Sequence, residues 1–191
     1  MARKKHPTLP NVSFAVVLLG AVPVFAQGAT SRYLTFDIDK CATIERDGET
    51  GSVRLLCKHP TGYQLHLTDD DARMSVGFGP KGRKQRSIGQ TLNPLNSIHN
   101  VLELRYRPGA TKPHAAIMRY HTGSSRGEEG KGQVLVVTKL AGDEACQVAH
   151  IDAVANKDAN ELARQVADTA AGFDCAKDEP NVVGKTGKSP M

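Results

Sequence analysis

Arginine side chains at alternate positions are the residues of this chain whose types and spacing best suit a chemical role. Arg105 and Arg107 lie two residues apart in a segment where apolar and polar residues alternate, and Arg119 and His121 repeat that spacing in the next such segment. Side chains two residues apart in a strand point to the same face of a sheet. Guanidinium groups bind carboxylates and phosphates through two parallel hydrogen bonds. The predicted ligand-binding residues, on the outer face of one hairpin, are therefore Arg105, Arg107, Arg119 and His121.

Both basic groups of the chain also have a structural interpretation. Alternating polar residues are typical of the solvated face of an antiparallel sheet, so the arginines need not bind anything. A second basic group, Lys81, Arg83, Lys84 and Arg86, lies in a predicted loop at residues 80–97. It suggests either an anion-binding patch or a solvated loop tip, and we favour the loop tip because polar loops commonly carry charge for solubility.

Enzymatic chemistry has weaker support in the sequence. There is no Gly-x-Ser-x-Gly motif of a hydrolase nucleophile, and no pair of histidines in the predicted mature chain has the spacing of a metal-binding motif. The three aspartates at 69–71 lack the alternation and the glycine of a calcium-binding loop. We therefore predict a non-enzymatic protein with no metal and no cofactor. The alternative is a small hydrolase whose site combines His121, Asp152 and a serine of the loop at 122–132.

Four cysteines indicate two disulfides, for which three connectivities exist. We favour Cys41–Cys57 and Cys146–Cys175, because each pair joins neighbours in the sequence. Cys41 and Cys57 are also equidistant from Glu49, which lies in a segment rich in turn-forming residues. A zinc site is not indicated, because the chain has no CxxC-type pair.

Residues 1–26 have the features of a secretory signal peptide. Three basic residues precede an apolar run from Val12 to Phe25, and the small residues before position 27 predict cleavage after Ala26. The run is shorter than the ~20 residues of a membrane-spanning helix, so we expect no membrane span after processing. Removing three basic residues and no acidic ones lowers the net charge from +5 to +2, which gives little support for nucleic-acid binding. Because disulfides persist in oxidising compartments, we predict a periplasmic or secreted protein.

The segment from Cys41 to Phe78 predicts two consecutive β-hairpins. In the first, folding at Glu49 brings Cys41 opposite Cys57, within disulfide range, and Thr43 opposite Leu55. In the second, alternating strands flank a predicted four-residue turn at 69–72, and apolar cross-strand pairs would fix the register. The predicted pairs are Leu67 with Met74, Leu65 with Val76 and Tyr63 with Phe78.

The remaining sequence predicts four more strands and then a helix. The strands lie at about 99–107, 115–121, 133–140 and 146–151, and the helix carries an apolar stripe at helical spacing. We predict an α+β fold: a single domain at residues 27–180, with an antiparallel β-meander of about eight strands, one C-terminal helix packed on it and two disulfides. Residues 181–191 are rich in Gly, Lys and Ser, and we predict a disordered tail there. The stripe consists of Leu162, Ala163, Val166, Ala167, Ala170 and Phe173.

A set of residues in the last third of the chain carries a resemblance to known proteins: segments 146–156 and 159–164, the pair Ala167 and Asp168, and Phe173 with Cys175. In these residues the chain resembles small exported proteins of Gram-negative bacteria that have no assigned function. The resemblance implies the strand, helix and disulfide of this region and transfers no activity or site. The overall plan is similar to that of periplasmic lysozyme inhibitors, although architecture does not fix function. We predict a binding module whose partner is an unknown protein or an anionic ligand of the bacterial envelope.

Overall fold

The computed structural model describes residues 1, 28–92, 95–123 and 131–191. The predicted signal peptide and its cleavage site lie outside these residues, apart from Met1. In the described part, ten strands form one sheet and a single α-helix packs on it. The strands are β1 (Thr30–Thr35), β2 (Ala42–Arg46), β3 (Val53–Lys58), β4 (Gln64–Asp70), β5 (Arg73–Phe78), β6 (Asn96–Tyr106), β7 (Ala115–Thr122), β8 (Gly132–Ala141), β9 (Glu144–Asp152) and β10 (Asn181–Val182), and the helix is α1 (Ala159–Thr169).

The sheet is mixed, which corrects the predicted antiparallel meander of eight strands. Its order is β10-β9-β8-β7-β6-β5-β4-β3-β2, and β1 pairs with β6 beside this path. Strands β2 to β9 correspond to the eight predicted strands, whereas β1 and β10 were not predicted. Parallel pairing occurs between β10 and β9, and between β5 and β6 where Arg73 lies opposite Asn96. The predicted single domain with one helix and an α+β composition is confirmed.

Two apolar cores hold these elements together. The sheet turns back on itself, so that β3–β5 and β6–β8 enclose one core of large aliphatic and aromatic side chains such as Leu65, Leu102 and Tyr120. A second core lies between the opposite face of β7–β9 and α1. Its helical side consists of small residues, Ala163 and Ala167 among them, which let the helix approach the sheet closely, as predicted.

Both predicted disulfides are present. Cys41–Cys57 ties β3 to the residue just before β2, and its Cα atoms are 4.5 Å apart. Cys146–Cys175 joins β9 to the segment after α1, and its Cα atoms are 5.7 Å apart. The second bridge therefore fixes the helix at its C-terminal end against the sheet.

The register of the first hairpin is confirmed at its disulfide end and shifts by one residue between Thr43 and Glu45, and that of the second hairpin is wrong by two residues. Thr43 lies opposite Leu55, as predicted. In the second hairpin Leu67 lies opposite Val76 and Leu65 opposite Phe78, because the turn has two residues and not four. Those two residues, Asp71 and Ala72, have φ values of 52° and 57°, the left-handed conformation of a tight hairpin turn. A shift by two residues preserves the faces, so the alternation of apolar residues could not reveal it.

The segment after β5 folds back over the outer face of β4 and β5. Gly82 crosses Gly77 so closely that a Cβ atom built on Gly77 would lie 2.2 Å from the carbonyl oxygen of Gly82. Two 3₁₀ turns follow, Gly82–Lys84 and Arg86–Gly89. The Gln85 side chain accepts a hydrogen bond from the Phe78 N–H at 2.7 Å and donates one to the Phe78 carbonyl at 2.8 Å. The side chain thus replaces a neighbouring strand along this part of β5.

The last residues of the chain, for which the sequence predicts disorder, are placed against the sheet. Asp152 is fully buried and accepts hydrogen bonds from the backbone N–H groups of Lys188 and Ser189 and from the Ser189 hydroxyl. Ser189 is itself only 6% exposed. The predicted disorder was based on the low apolar content of the segment. The segment is instead held by hydrogen bonds to a buried carboxylate, which composition does not reveal.

The Gly77–Gly82 crossing predicts a strong asymmetry between two glycine substitutions. Gly77→Ala would place its methyl group against the Gly82 backbone, and overpacking of this kind costs about 1–3 kcal/mol. Gly89→Ala, in the same loop, meets nothing within 4 Å and should change the free energy of unfolding by less than about 0.5 kcal/mol. Urea unfolding of the oxidised chain measures both. Equal stabilities for the two variants would contradict the crossing.

A buried histidine predicts how stability depends on pH. His150 lies on β9 beside β10, and burial lowers the pKa of its imidazole to about 4. The folded chain therefore binds this proton more weakly than the unfolded chain, whose histidine pKa is about 6.5. The contribution of His150 to the free energy of unfolding should be constant above about pH 6.5. It should decrease by about 3 kcal/mol as the pH is lowered to 4.

His150→Gln should flatten that pH dependence, because glutamine does not titrate. The measurement is the free energy of unfolding in urea at several pH values between 4 and 7. A variant that keeps the wild-type slope over this range would show that His150 is not the group responsible.

Candidate functional site

The predicted arginine face is not an open surface, because α1 covers much of it. The Arg105 side chain is 8% exposed and forms a two-pronged ion pair with Asp168 of the helix. Its Nε lies 2.9 Å from Asp168 Oδ1 and its Nη2 lies 2.6 Å from Oδ2. Its Nη1 donates to the Ser31 hydroxyl at 2.7 Å. The guanidinium donors of Arg105, which were predicted to bind a ligand, are therefore occupied by the chain itself.

A second ion pair beside the first also joins the helix to the sheet. Arg164 of α1 donates to Glu103 of β6 at 2.8 Å and to the Tyr33 hydroxyl of β1 at 2.9 Å. The Ser31 hydroxyl donates to the same Glu103 carboxylate. The hydrogen bond with Glu103 raises the pKa of Arg164 further above its ordinary value. These contacts make the region a docking surface between β1, β6 and α1.

The other predicted residues lie apart from Arg105. Arg119 donates to the Gln133 amide oxygen at 2.9 Å and to Asn160 at 3.3 Å. It is four residues along β7 from Ala115, the residue opposite Arg105, a separation of about 13 Å in a strand. Arg107 lies beyond the end of β6 and is exposed. The structure thus does not gather the predicted residues into one pocket.

His121 has its own surroundings. Its ring packs edge-on against the ring of His99, with 5.6 Å between the ring centroids. Burial, and after it the nearby His99 and Arg119, lowers the pKa of His121. The two histidines form a small aromatic contact between β6 and β7.

The alternative hydrolase site does not assemble in the described residues. His121 lies opposite Gln133, whose side chain meets Arg119 on the helix side of the sheet. Asp152 lies opposite Val134, which belongs to the core on the other side. The histidine and the aspartate therefore point to opposite faces. The serines proposed for this site, at 124 and 125, lie outside the described residues.

Asp152 is also fully engaged as an acceptor. It receives hydrogen bonds from the N–H groups of Val154 and Ala155, in addition to those from the C-terminal segment. Burial acts to raise the pKa of its carboxyl, but the hydrogen bonds from Ser189, Lys188 and Ala155 outweigh burial and lower the pKa. This carboxylate has a structural role: it holds the end of the chain.

The opposite side of the molecule carries a cleft that sequence reasoning did not identify. It has a volume of about 580 Å³ and lies on the outer face of β3 and β4, beside the two 3₁₀ turns. We call it the basic cleft, because Arg54, Arg83 and Lys84 line it. The remaining lining residues are Ile44, Ser52, Leu55, His66, Leu67, Thr68, Asp70, Ile88 and Gly89.

His66 lies at the base of the basic cleft with both ring nitrogens unpaired. The residue is 6% exposed, and neither nitrogen has a hydrogen-bond partner among the described residues. Gly82 packs over its ring, so closely that a Cβ on Gly82 would lie 2.7 Å from the His66 Cδ2 atom. Burial, and after it the charge of Arg83, lowers the pKa of His66, while the backbone of Pro80, which lies near the ring outside hydrogen-bonding geometry, acts in the opposite direction. The imidazole is therefore a neutral, buried polar group beside a basic rim.

Two of the rim cations converge on one carboxylate. Glu45 of β2 accepts hydrogen bonds through a single oxygen, Oε2, from Arg54 Nη1 at 2.9 Å and from Arg83 Nη2 at 2.8 Å. All three side chains are about half exposed. We call this arrangement the arginine clamp. It shows where an oxygen atom of an anion lies when both guanidinium groups bind it.

The basic residues of the predicted loop at 80–97 have different surroundings in the structure. Lys81 pairs with Asp143 at 2.7 Å, and Arg86 pairs with Glu179 at 2.7 Å and also donates to the Cys175 carbonyl. These two side chains fasten the loop to distant segments. Lys84 differs, because its exposed ammonium has no ion pair with the described residues. The loop is therefore largely structural, and only part of it lines the cleft.

Comparison with known proteins finds no match: no protein family, curated protein or solved structure is similar to this chain. The resemblance of residues 146–175 to small exported proteins accordingly stays an interpretation of the sequence. Within residues 28–92, 95–123 and 131–191, no three His, Cys, Asp or Glu side chains are grouped to hold a metal ion. None of the helices described is long and apolar enough to span a membrane.

The two predicted arginines on β6 should behave differently when replaced. Arg105→Gln would leave the Asp168 carboxylate without its two-pronged partner, and losing one side of a largely buried pair should cost about 2–3 kcal/mol of stability. Arg107→Gln, at the exposed position two residues later, should cost less than about 0.5 kcal/mol. Urea unfolding measures the difference. A stable Arg105→Gln variant would contradict the structural role given to this arginine.

Proposed function

We propose that this protein is an exported, non-enzymatic binding protein whose anionic ligand enters the basic cleft. The observation that carries the proposal is His66, a buried imidazole with no hydrogen-bond partner in the described part of the chain, which lines a cleft together with three cations. Leaving a buried polar group unpaired costs about 1–3 kcal/mol. Both ring nitrogens are closed to solvent in this structure, so an oxyanion reaches the imidazole only once the covering segment moves aside. By accepting a hydrogen bond from the ring, the oxyanion would then recover this cost and would gain the attraction of the rim.

The size and lining of the basic cleft support a small ligand. Its volume of about 580 Å³ lies in the range of pockets that bind small molecules. Arg54, Arg83 and Lys84 supply donors that carry positive charge, and charge-assisted hydrogen bonds are about twice as strong as neutral ones. Thr68 and Ser52 add hydroxyl groups to the lining. The cleft therefore offers both charge and directional donors to an anion.

The arginine-bearing sheet face supports the proposal less well than the cleft does. The guanidinium of Arg105 is already paired with Asp168, and Arg119 is hydrogen-bonded to two neighbouring amides. Displacing Asp168 would expose the helix contact on which the second core depends. Of the four residues on that face, only Arg107 is exposed.

Export to the periplasm or secretion is the location we propose. Its support is the pair of disulfides, which form and persist in oxidising compartments, together with the leader-like sequence at residues 1–26. A non-enzymatic role is supported by the opposite orientation of His121 and Asp152 and by the use of all four cysteines in bridges.

Lys84→Gln should weaken anion binding about tenfold, because it removes the rim cation that no described residue neutralises. The probes are acetate and inorganic phosphate, added to the oxidised chain while the histidine ring signals are followed by NMR. The His66 signal should shift and saturate with either probe in the wild-type protein.

The matched control is Lys58→Gln, which removes an exposed lysine on β3 that does not line the cleft. It should leave the dissociation constants unchanged within twofold. If His66 does not respond to either anion, or if both lysine variants bind equally, the basic cleft is not the site.

A further inference from the structure

We infer that Glu45 is an internal occupant of the arginine clamp, and that the basic cleft takes a monocarboxylate with a short apolar group, whose carboxylate displaces Glu45. This inference rests on the proposed function, because it concerns the same cleft. It adds the chemical class of the ligand and names the side chain that the ligand replaces. The juxtaposition behind it is one glutamate oxygen held by Arg54 and Arg83.

The clamp requires an anion at its centre. Arg54 lies on β3 and Arg83 lies on a 3₁₀ turn, so they belong to different segments that meet at this oxygen. Two guanidinium groups this close would repel each other without a negative charge between them. The donors lie 2.9 and 2.8 Å from Oε2, which are the distances of charge-assisted hydrogen bonds to a carboxylate. A carboxylate is therefore the group that the clamp already accommodates.

Glu45 is placed where it can leave the clamp without unfolding the sheet. It lies on β2, the outermost strand at one end of the sheet, and every residue of β2 is exposed. The pairing between β2 and β3 shifts between Thr43 and Glu45, so the ladder is interrupted next to this residue. Its side chain is 49% exposed, and ion pairs so exposed to water contribute little to stability. A ligand therefore competes with a weak internal contact.

The charges of the cleft favour an anion over a neutral ligand. Arg54, Arg83 and Lys84 contribute three positive charges, and Asp70 contributes one negative charge. Once Glu45 has left the clamp, two positive charges remain in excess, so charge alone does not select a monocarboxylate over a phosphate. The choice of a carboxylate rests on the clamp, which already holds one.

Apolar lining argues for a ligand that carries more than its carboxylate. Ile44, which is 38% exposed, and Ile88 line the cleft on the sides of β2 and of the second 3₁₀ turn. An apolar group of a few carbons would cover these side chains and gain free energy from the buried area. Hexanoate combines a carboxylate with a short hydrocarbon chain, whereas acetate and phosphate have no such chain.

The test is calorimetric titration of the oxidised full chain with hexanoate, acetate and inorganic phosphate. Glu45→Gln removes the internal carboxylate but keeps the shape of the side chain, so it should tighten hexanoate binding about tenfold. Glu49→Gln is the matched control, because Glu49 is an exposed acid in the β2–β3 turn that does not line the cleft. It should change the hexanoate affinity less than twofold. Hexanoate should also bind more tightly than acetate in every variant.

The outcomes separate this inference from the function on which it rests. Unchanged or weaker hexanoate binding in Glu45→Gln, with binding still dependent on Lys84, would overturn the displacement and leave the anion-binding function intact. A larger gain for phosphate than for hexanoate would overturn the monocarboxylate class. No binding of any of the three anions, in the wild type or in Glu45→Gln, would overturn both.

Discussion

The basic cleft depends on the close crossing of Gly77 and Gly82. Because neither residue has a side chain, the loop after β5 can lie directly on the strand it has just left. That position encloses the His66 ring and brings Arg83 to the same side of the sheet as Arg54. It also sets Gln85 beside Phe78, where the amide side chain occupies the edge of β5. Without this crossing the loop would not lie over the strand, and the basic cleft would be open on that side.

The two sides of the molecule use positive charge in different ways. On the face covered by α1, arginine residues are paired with carboxylates and hold the helix, as Arg105 does with Asp168. On the outer face of β3 and β4, the two arginines of the cleft share one exposed glutamate, and Lys84 has no acidic partner among the described residues. Charges that are already paired and buried contribute to architecture, whereas a surplus of exposed charge is available to a ligand. We therefore propose the cleft, and not the helix-covered face, as the binding site.

Local patterns in the sequence predict much of the fold. Strands β2 to β9, the helix and both disulfides follow from alternation, helical spacing and the position of cysteines around a turn. The register of the second hairpin does not, because a turn through two left-handed residues, Asp71 and Ala72, preserves the same faces as a longer one. The short β10 and the placement of the C-terminal segment depend on partners distant in the sequence, such as the buried carboxylate of Asp152.

The candidate site was beyond prediction from the sequence for a similar reason. Alternation correctly predicted that Arg105, Arg119 and His121 share one face of the sheet, whereas Arg107 lies beyond the end of β6. It could not show that the helix brings Asp168 onto that face. The cleft draws its residues from β2, β3, β4 and the 3₁₀ turns, which meet only because the loop crosses at a glycine pair. A glycine at 77 and another at 82, near an internal histidine and a basic loop, were the available signals, and none of them indicates a contact by itself.

A crystal structure of the oxidised protein grown with hexanoate would locate the bound carboxylate. We expect its electron density between Arg54 and Arg83, with Glu45 turned to solvent and the hydrocarbon against Ile44 and Ile88. Hexanoate bound at Arg107, Arg119 or His121, with Glu45 still held in the clamp and the cleft empty, would contradict this expectation.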